Sequence, residues 1–310
     1  MQIEVVKLKR YFGSTRAVDG LSFSFQGGQI WGFVGPNGAG KTTTMRVMAT
    51  LDEPTAGDVL LDGVSVVQDP EKARALTGFV PDSLPTHSDI DVHEYLDFFA
   101  RAYGVRDPRR KRVVESIEKF TNLLGIREKP LKALSKGMKQ RVNLARALVH
   151  DPPVLIMDEP AAGLDPRARI ELRELVKALA EQGKAILISS HILSELSEMI
   201  DGVVIIEQGK MLRAGDLDGI RTADVGGVLV LLRTLDNDHE TLCSELLETP
   251  HVEKVSVAGG FVRVALSGRE EHAAELLRLL ITRGHRVVEF RHETGSLEEV
   301  FMKITRGEVS

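Results

Sequence analysis

Eight residues near the amino end, Gly35-Pro36-Asn37-Gly38-Ala39-Gly40-Lys41-Thr42, have the types and spacing to hold a phosphate. With no bulky Cβ at the glycines, backbone N–H groups can surround phosphate oxygens at the positive end of a following helix. Lys41 then reaches the β- and γ-phosphates as a point charge, and the Thr42 hydroxyl, followed by Thr43, is placed to ligate Mg2+. A glycine turn of no function has the same composition, and context separates the two: a P-loop needs a strand before it and a helix after it. Ile30 to Val34 reads as a buried strand, and Lys41 to Leu51 carries Met45, Met48 and Ala49 at helical spacing.

A second cluster stands at Val154-Leu155-Ile156-Met157-Asp158-Glu159, an apolar run ending in two carboxylates. Strand ends face ligands in open α/β sheets, so Asp158 is placed to hold a hydrated Mg2+ and Glu159 to polarise an attacking water as general base. Alone, the pair is equally an ordinary polar cap; with the glycine loop upstream it becomes half of a phosphoryl-transfer site. His191 follows the strand Ala185 to Ser190 and reaches the same edge if consecutive strands are neighbours. There it can hydrogen-bond a γ-phosphate, although a lone histidine is also common at surfaces.

These groups need a scaffold, and the first half of the chain alternates short apolar runs with helical patterns, the mark of a mostly parallel sheet flanked by helices. From Asp91 to His150 the pattern is wholly helical, beginning with Asp91 three residues before Glu94 as in a capping box. Strand signals return at Val154 to Met157, Ala185 to Ser189 and Val203 to Ile206, with a helical stretch from Arg167 to Gln182. The expected fold is α/β, a P-loop core with an all-helical insert over about residues 85–150. A small-residue junction at Asp224 to Gly227 divides the chain into residues 1–223 and 224–310. Beyond it, strands at Val228 to Leu235, His251 to Val257, Phe261 to Leu266 and Arg286 to Phe290 alternate with helices near His239 to Glu248 and Glu270 to Arg283. That order, βαββαβ, predicts a small ferredoxin-like α+β domain.

Composition narrows the function classes. At 310 residues, two domains are expected; 43% hydrophobic and 27% charged residues are ordinary globular usage. The single cysteine, Cys243, excludes an intramolecular disulfide and reads as a free buried thiol. The start MQIEVVKLKR has no apolar stretch after a basic beginning, and no run approaches the roughly 20 apolar residues of a membrane span. A net charge of -5 argues against a nucleic-acid partner, and the one dense basic run, Arg109 to Arg112, reads as a solvated helix face.

Leu134-Ser135-Lys136-Gly137-Met138-Lys139-Gln140-Arg141 resembles the signature motif of ATP-binding-cassette (ABC) proteins. Lys136 stands where the family's usual Leu-Ser-Gly-Gly-Gln has its first glycine, and Met138 where it has glutamine. Over residues 1 to about 220 the family's other motifs resemble this chain in order. An aromatic A-loop falls at Phe12 or the neighbouring Tyr11, and the Q-loop at Gly78 to Asp82, with Asp82 in place of the usual glutamine. Walker B falls at Asp158-Glu159, the D-loop at Ala161 to Asp165, and the H-loop at His191. The resemblance implies ATP and Mg2+ as cofactors, an aromatic ring on adenine, Asp82 at the metal or its water, and catalysis by Glu159, His191 and Lys41. It also implies a homodimer in which Ser135 and Gly137 contact the γ-phosphate held by the opposite subunit.

The ending Gly295 to Thr305 resembles exporter ATPases that serve ABC-2-type permeases, drug and antibiotic efflux systems included. This implies a subunit at the cytoplasmic face of the membrane, driving a separate permease that docks on the insert around Asp82 to Tyr103. A soluble cassette ATPase acting on nucleic acid or ribosomes shares every phosphate-binding residue and is the alternative.

Overall fold

The computed structural model describes residues 1–84, 90–192, 196–217, 219–220, 227–236, 239–267 and 270–292. The chain forms two compact units, Met1–Gly215 and Asp216–Ile304. The expected junction at Asp224 to Gly227 lies, apart from Gly227, outside the described residues, as does the ending at Gly295 to Thr305.

The first unit is organised by a six-stranded sheet. Its spatial order is β10 (Lys210–Asp216), β9 (Gly202–Glu207), β3 (Ile30–Val34), β8 (Ala185–Ser190), β7 (Val154–Met157) and β6 (Thr77–Val80). Every residue of β3, β7, β8 and β9 is buried, as expected of parallel strands covered on both faces, and their near-continuous apolar runs follow from that. The neighbouring pairs from β9 to β6 are all parallel. Helix α1 (Lys41–Met48) follows β3 and stops a turn before the expected Leu51. Thr50 turns left-handed (φ 58°), and Leu51 N–H folds back onto the carbonyl of Arg46.

A second sheet of this unit has no counterpart in the sequence reading. Strands β1 (Gln2–Phe12), β2 (Thr15–Gln26), β4 (Ala56–Leu61) and β5 (Val64–Ser65) pair antiparallel in the order β2-β1-β4-β5. β2 alternates, burying Val18, Leu21, Phe23 and Phe25, whereas β1 shifts register between Val5 and Leu8, with Lys7 at φ 46°. A bulge of this kind breaks the two-residue period by which strands are recognised. The two sheets close over one core, in which Phe25 stacks near Trp31 at 6.0 Å and Phe23 meets Phe33 at 5.7 Å.

The helical insert holds α3 (Val92–Ala102), α4 (Arg109–Phe120) and α5 (Lys136–Leu148), around its own core of Leu96, Val114, Leu123, Leu131 and Val142. Helix α2 (Pro70–Leu76) precedes β6, and α6 (Pro166–Glu181) precedes β8. The expected capping box opens α3: Glu94 N–H donates to Asp91 Oδ1 at 2.8 Å and Asp91 N–H to Glu94 Oε2 at 3.2 Å.

Helix α5 is fastened to the sheet by one polar stripe. Asn143, Arg146 and His150, at helical spacing, meet the carbonyls of Pro81 (3.3 Å), Phe79 (2.7 Å) and Thr77 (3.1 Å). These alternate carbonyls belong to the edge strand β6 and the residue after it, so the insert covers an edge that would otherwise be open to pairing.

The second unit is an antiparallel sheet, β12 (Val252–Ala258), β13 (Phe261–Ser267), β11 (Gly227–Thr234) and β14 (Val287–His292) in spatial order, with helices His239–Leu247 and Glu270–Thr282. The order βαββαβ with β11 and β13 central is the ferredoxin-like arrangement. Cys243 is half-buried against this unit's core rather than fully buried, and burial raises its thiol pKa.

Burial holds the His150 imidazole below its ordinary pKa, outweighing its bond to Thr77. The folded chain therefore favours the neutral ring, and the unfolded chain takes up a proton first as pH falls. Stability should decline from about pH 6.5, the unfolded value, down to the lower folded pKa. His150→Gln, which keeps a donor for the Thr77 carbonyl, should lessen that acid slope in chemical-denaturation midpoints measured between pH 5 and pH 8. An unchanged slope would assign the acid sensitivity to other groups.

Candidate functional site

The strand order gathers the chemistry at one edge. β8 lies between β3 and β7, and Val34 pairs with Ser190 while Met157 pairs with Ile188. The glycine loop, His191 and the Asp158-Glu159 pair thus leave neighbouring strands at their carboxyl ends. β6, paired Val80 to Met157, brings Asp82 to the same rim, and Asp158 N–H donates to the Val80 carbonyl at 2.8 Å.

Two glycines are dictated by close approach. A Cβ on Gly35 would stand 2.3 Å from the Ile206 carbonyl oxygen, and one on Gly40, at φ 102°, would stand 2.3 Å from that of Ala17. A side chain at either would push β9 or β2 off the loop. The cleft so formed, about 400 Å³, is lined by Asn37, Gly38, Gly40, Lys41, Thr42 and Thr43, by Asp82, Glu159 and His191, and by Thr15, Ala17 and Ala162. Gly35, Pro36 and Ala39 support the loop from behind.

Lys41 is 6% exposed, and its Nζ donates to the carbonyls of Gly35 (2.7 Å) and Pro36 (3.2 Å), 3.5 Å from Glu159 Oε1. Burial pushes its pKa below the usual lysine value, opposed by the Glu159 charge. Glu159 adopts φ 46°, a strained backbone for a glutamate, and its Oε2 lies 2.8 Å from His191 Nδ1. One carboxylate therefore bridges the ammonium and the imidazole.

Ser189, fully buried, organises both acids. Its Oγ accepts from Glu159 N–H at 2.8 Å and donates to Asp158 Oδ1 at 2.7 Å. The sequence reading missed this residue, although a signal was present: a hydroxyl closing the apolar run of a buried strand must find a partner. The wall residues Thr15 and Ala17 were missed because β2 was.

Other expected site residues lie apart. Neither Tyr11 nor Phe12 lines the cleft. The Tyr11 hydroxyl is engaged by Asp19 Oδ1 at 2.5 Å, a hydrogen bond that raises its pKa, while Phe12 is 48% exposed with the Arg10 guanidinium 4.4 Å from its ring centre. Ser135 and Gly137 are also outside the cleft. Ser135 caps α5, accepting from Met138 N–H at 3.3 Å, and Asp165 caps α6, accepting from Ala168 N–H at 2.9 Å. The two helix starts touch, since a Cβ on Gly137 would stand 3.2 Å from that of Ala168, and the Lys136 ammonium lies across Gly163.

A glycine cradle, a buried lysine and a strand-end carboxylate pair at the switch point of a parallel sheet define a P-loop nucleotide hydrolase. Comparison with known proteins narrows this. The ABC transporter family matches residues 18–162, and the family described as ATP-binding protein DrrA1-3-like, C-terminal domain, matches residues 215–305. Nod factor export ATP-binding protein I of Paraburkholderia xenovorans is 34% identical over 307 residues, covering 99% of this chain and 98% of that protein. The linearmycin resistance ATP-binding protein LnrL of Bacillus subtilis is 28% identical, covering 98% of each. Among solved structures, an ATP-binding subunit of an ABC transporter superposes with a TM-score of 0.66 at 30% identity, over 72% of this chain and 93% of that one. For cbiO1 from Clostridium perfringens, part of the ABC transporter complex cbiONQ, the TM-score is 0.65 at 27% identity, over 72% and 92%. The chain belongs to the ATP-binding subunits of ABC transporters, and its reaction is ATP hydrolysis.

Ser189→Ala would leave the Glu159 N–H and Asp158 Oδ1 without their shared partner, at a cost of about 1–3 kcal/mol in stability. With both acids less well oriented, ATP turnover should fall by about 10- to 100-fold while nucleotide affinity changes little. Steady-state kinetics beside equilibrium nucleotide binding separates the effects; equal losses in both would show that Ser189 only maintains the fold.

Proposed function

We propose that this chain is the motor of an exporter, working as a homodimer at the cytoplasmic face of the membrane on a separate ABC-2-type permease. One observation carries the dimer: the cleft collects Asn37 to Thr43 of the phosphate loop, apart from Ala39, with Asp82, Glu159 and His191, yet omits Ser135 and Gly137 of the same chain. On this reading those residues complete the cleft of a second copy, and ATP is closed between the two. Export is supported by the export and resistance systems to which the full-length relatives belong, and an ABC-2 partner by the DrrA-like C-terminal match. The division at about residue 224 into an ATPase domain and an accessory domain is part of the same proposal. So is the docking of the permease on the insert around residues 82–103, where Phe98 on α3 is 58% exposed.

The residues in the cleft divide the chemistry. The oxygens of Thr42 and Asp82, which line the cleft, and of Asp158, which is buried next to Glu159 and does not line it, suit a hard cation, and Asp158 has Oδ2 free of hydrogen bonds among the described residues once Oδ1 accepts from Ser189. Mg2+ there would neutralise charge on the phosphates. Lys41 would transfer its charge from Glu159 to the incoming β- and γ-phosphates, releasing the carboxylate to act as base. Glu159 then takes a proton from water as the water oxygen bonds to the γ-phosphorus and the bond to the bridging oxygen breaks. His191, on Oε2, fixes the carboxylate's orientation.

Glu159→Gln should keep nucleotide binding, lower hydrolysis by about 10²- to 10⁴-fold and lock the dimer in ATP. Light scattering with and without ATP reads this directly, and a monomer at saturating ATP, with the permease absent or present, would sink the sandwich.

Because Tyr11 is committed to Asp19, Phe12 is assigned the adenine. Phe12→Ala should weaken ATP binding by about fivefold or more, the scale of one lost base stack, whereas Tyr11→Ala should change it less. Isothermal titration of both variants decides between the two rings.

A further inference from the structure

A second cleft, about 660 Å³, lies between the helical insert and the end of α6 with the residues that lead into β8, and it shares no lining residue with the nucleotide cleft. Its volume is in the range of small-molecule sites. The basic run that reads as a solvated face divides here. Arg110 is fully used, donating to Asp97 and Asp107 at 2.7 and 2.8 Å. Arg109 and Arg112 line the cleft, and neither side chain forms an ion pair or hydrogen bond among the described residues.

Both guanidiniums are exposed at the mouth of the cleft and carry like charge. They stand on the first turn of α4, where the helix dipole is positive and no acidic residue offsets it. The other cation of the cleft, Lys184, is committed to Asp151 at 2.6 Å and the Pro152 carbonyl at 2.9 Å. A cleft lined by three cations and one carboxylate, with two of the cations unshared, selects an anion.

The cleft also contains a ring platform. Tyr103 lies flat on His150, with centroids 3.8 Å apart and planes 5° from parallel, and remains 41% exposed. His150 is anchored beneath it by the Thr77 carbonyl, and its depressed pKa keeps the pair uncharged near neutrality. An exposed aromatic face suits a planar ring, and two guanidiniums one helical turn apart suit a tetrahedral oxyanion.

We propose that this cleft is a second, non-catalytic site for a nucleoside monophosphate, with its base on Tyr103 and its phosphate between Arg109 and Arg112. The ligand would touch both the insert, through α4, and the sheet, through the residues that lead into β8. An anionic lipid headgroup offers the same phosphate without the ring, so the two sources are separable.

The test uses the full chain with its catalytic cleft saturated by ADP and Mg2+, and labelled AMP in equilibrium dialysis. AMP lacks the β- and γ-phosphates that the glycine loop grips. The expected result is saturable binding of one AMP per chain. Arg109→Ala/Arg112→Ala should weaken it about tenfold or more, and Tyr103→Ala about fivefold or more, with Tyr103→Phe close to the parent. ADP affinity at the catalytic cleft and the melting curve should be unchanged in the arginine double variant, which separates a lost site from a lost fold. Non-saturable AMP binding, or AMP binding indifferent to the arginines, overturns the proposal. So does inorganic phosphate binding as tightly as AMP, or phosphatidylglycerol vesicles bound through the arginines while AMP is not.

Discussion

The parallel pairing of β8 with β3 on one side and β7 on the other is the constraint on which the site depends. It sets three loop starts, after Val34, Met157 and Ser190, at nearly one level along the sheet. The side chains that follow, Lys41, Glu159 and His191, can then meet within one cleft although far apart in the chain. Parallel strands need long crossovers, so the contact order is high and the register has no tight turn to set it. Register is instead set by burial. Every side chain of these strands is inside, and a slip of one residue would carry the hydroxyl of Ser189 away from both carboxylates it serves.

The insert is tied to that sheet at its edge. Asn143 and Arg146 of α5, with His150 two residues past its end, occupy the carbonyls of Pro81 and of β6; Ser135 caps the start of the same helix, and Asp82 follows Pro81 in the chain. The signature helix and the acidic loop at the cleft rim are therefore parts of one rigid hydrogen-bonded element. A displacement of α5 along its axis would have to break those bonds or carry β6 with it. Any partner pushing on the insert has, through this stripe, a mechanical path to Asp82.

Much of this was legible in the residues because the relevant signals are local. Gly35 to Thr42 declares its loop, Asp158-Glu159 ends an unmistakable apolar run, and Asp91 with Glu94 writes its own helix start. In the second unit the strand Phe261 to Ser267 was legible because it alternates cleanly, every second side chain being buried. The antiparallel sheet of β1, β2, β4 and β5 was not, because the turn at Lys7 and the shifts beside it erase the period of the β1–β2 hairpin, and β4 joins β1 only after β2, β3 and α1 intervene. The role of Ser189 was hidden for a different reason. A serine at a strand end looks the same whether it caps the strand or bridges two carboxylates, and only the neighbouring strand decides.

The charges of the cleft make sense together rather than singly. Burial lowers the Lys41 pKa, and Glu159 is the counter-charge that opposes this shift. The same carboxylate also meets His191, so both of its oxygens are engaged. On the proposed mechanism, phosphate groups arriving in the cradle supply a denser negative charge for Lys41, and the carboxylate is released from that pair only then. His191, on the second oxygen, keeps the freed group from swinging out of the cleft. On that proposal the release of the carboxylate is tied to the presence of the substrate, so that water entering an incompletely filled cleft meets a Lys41–Glu159 ion pair.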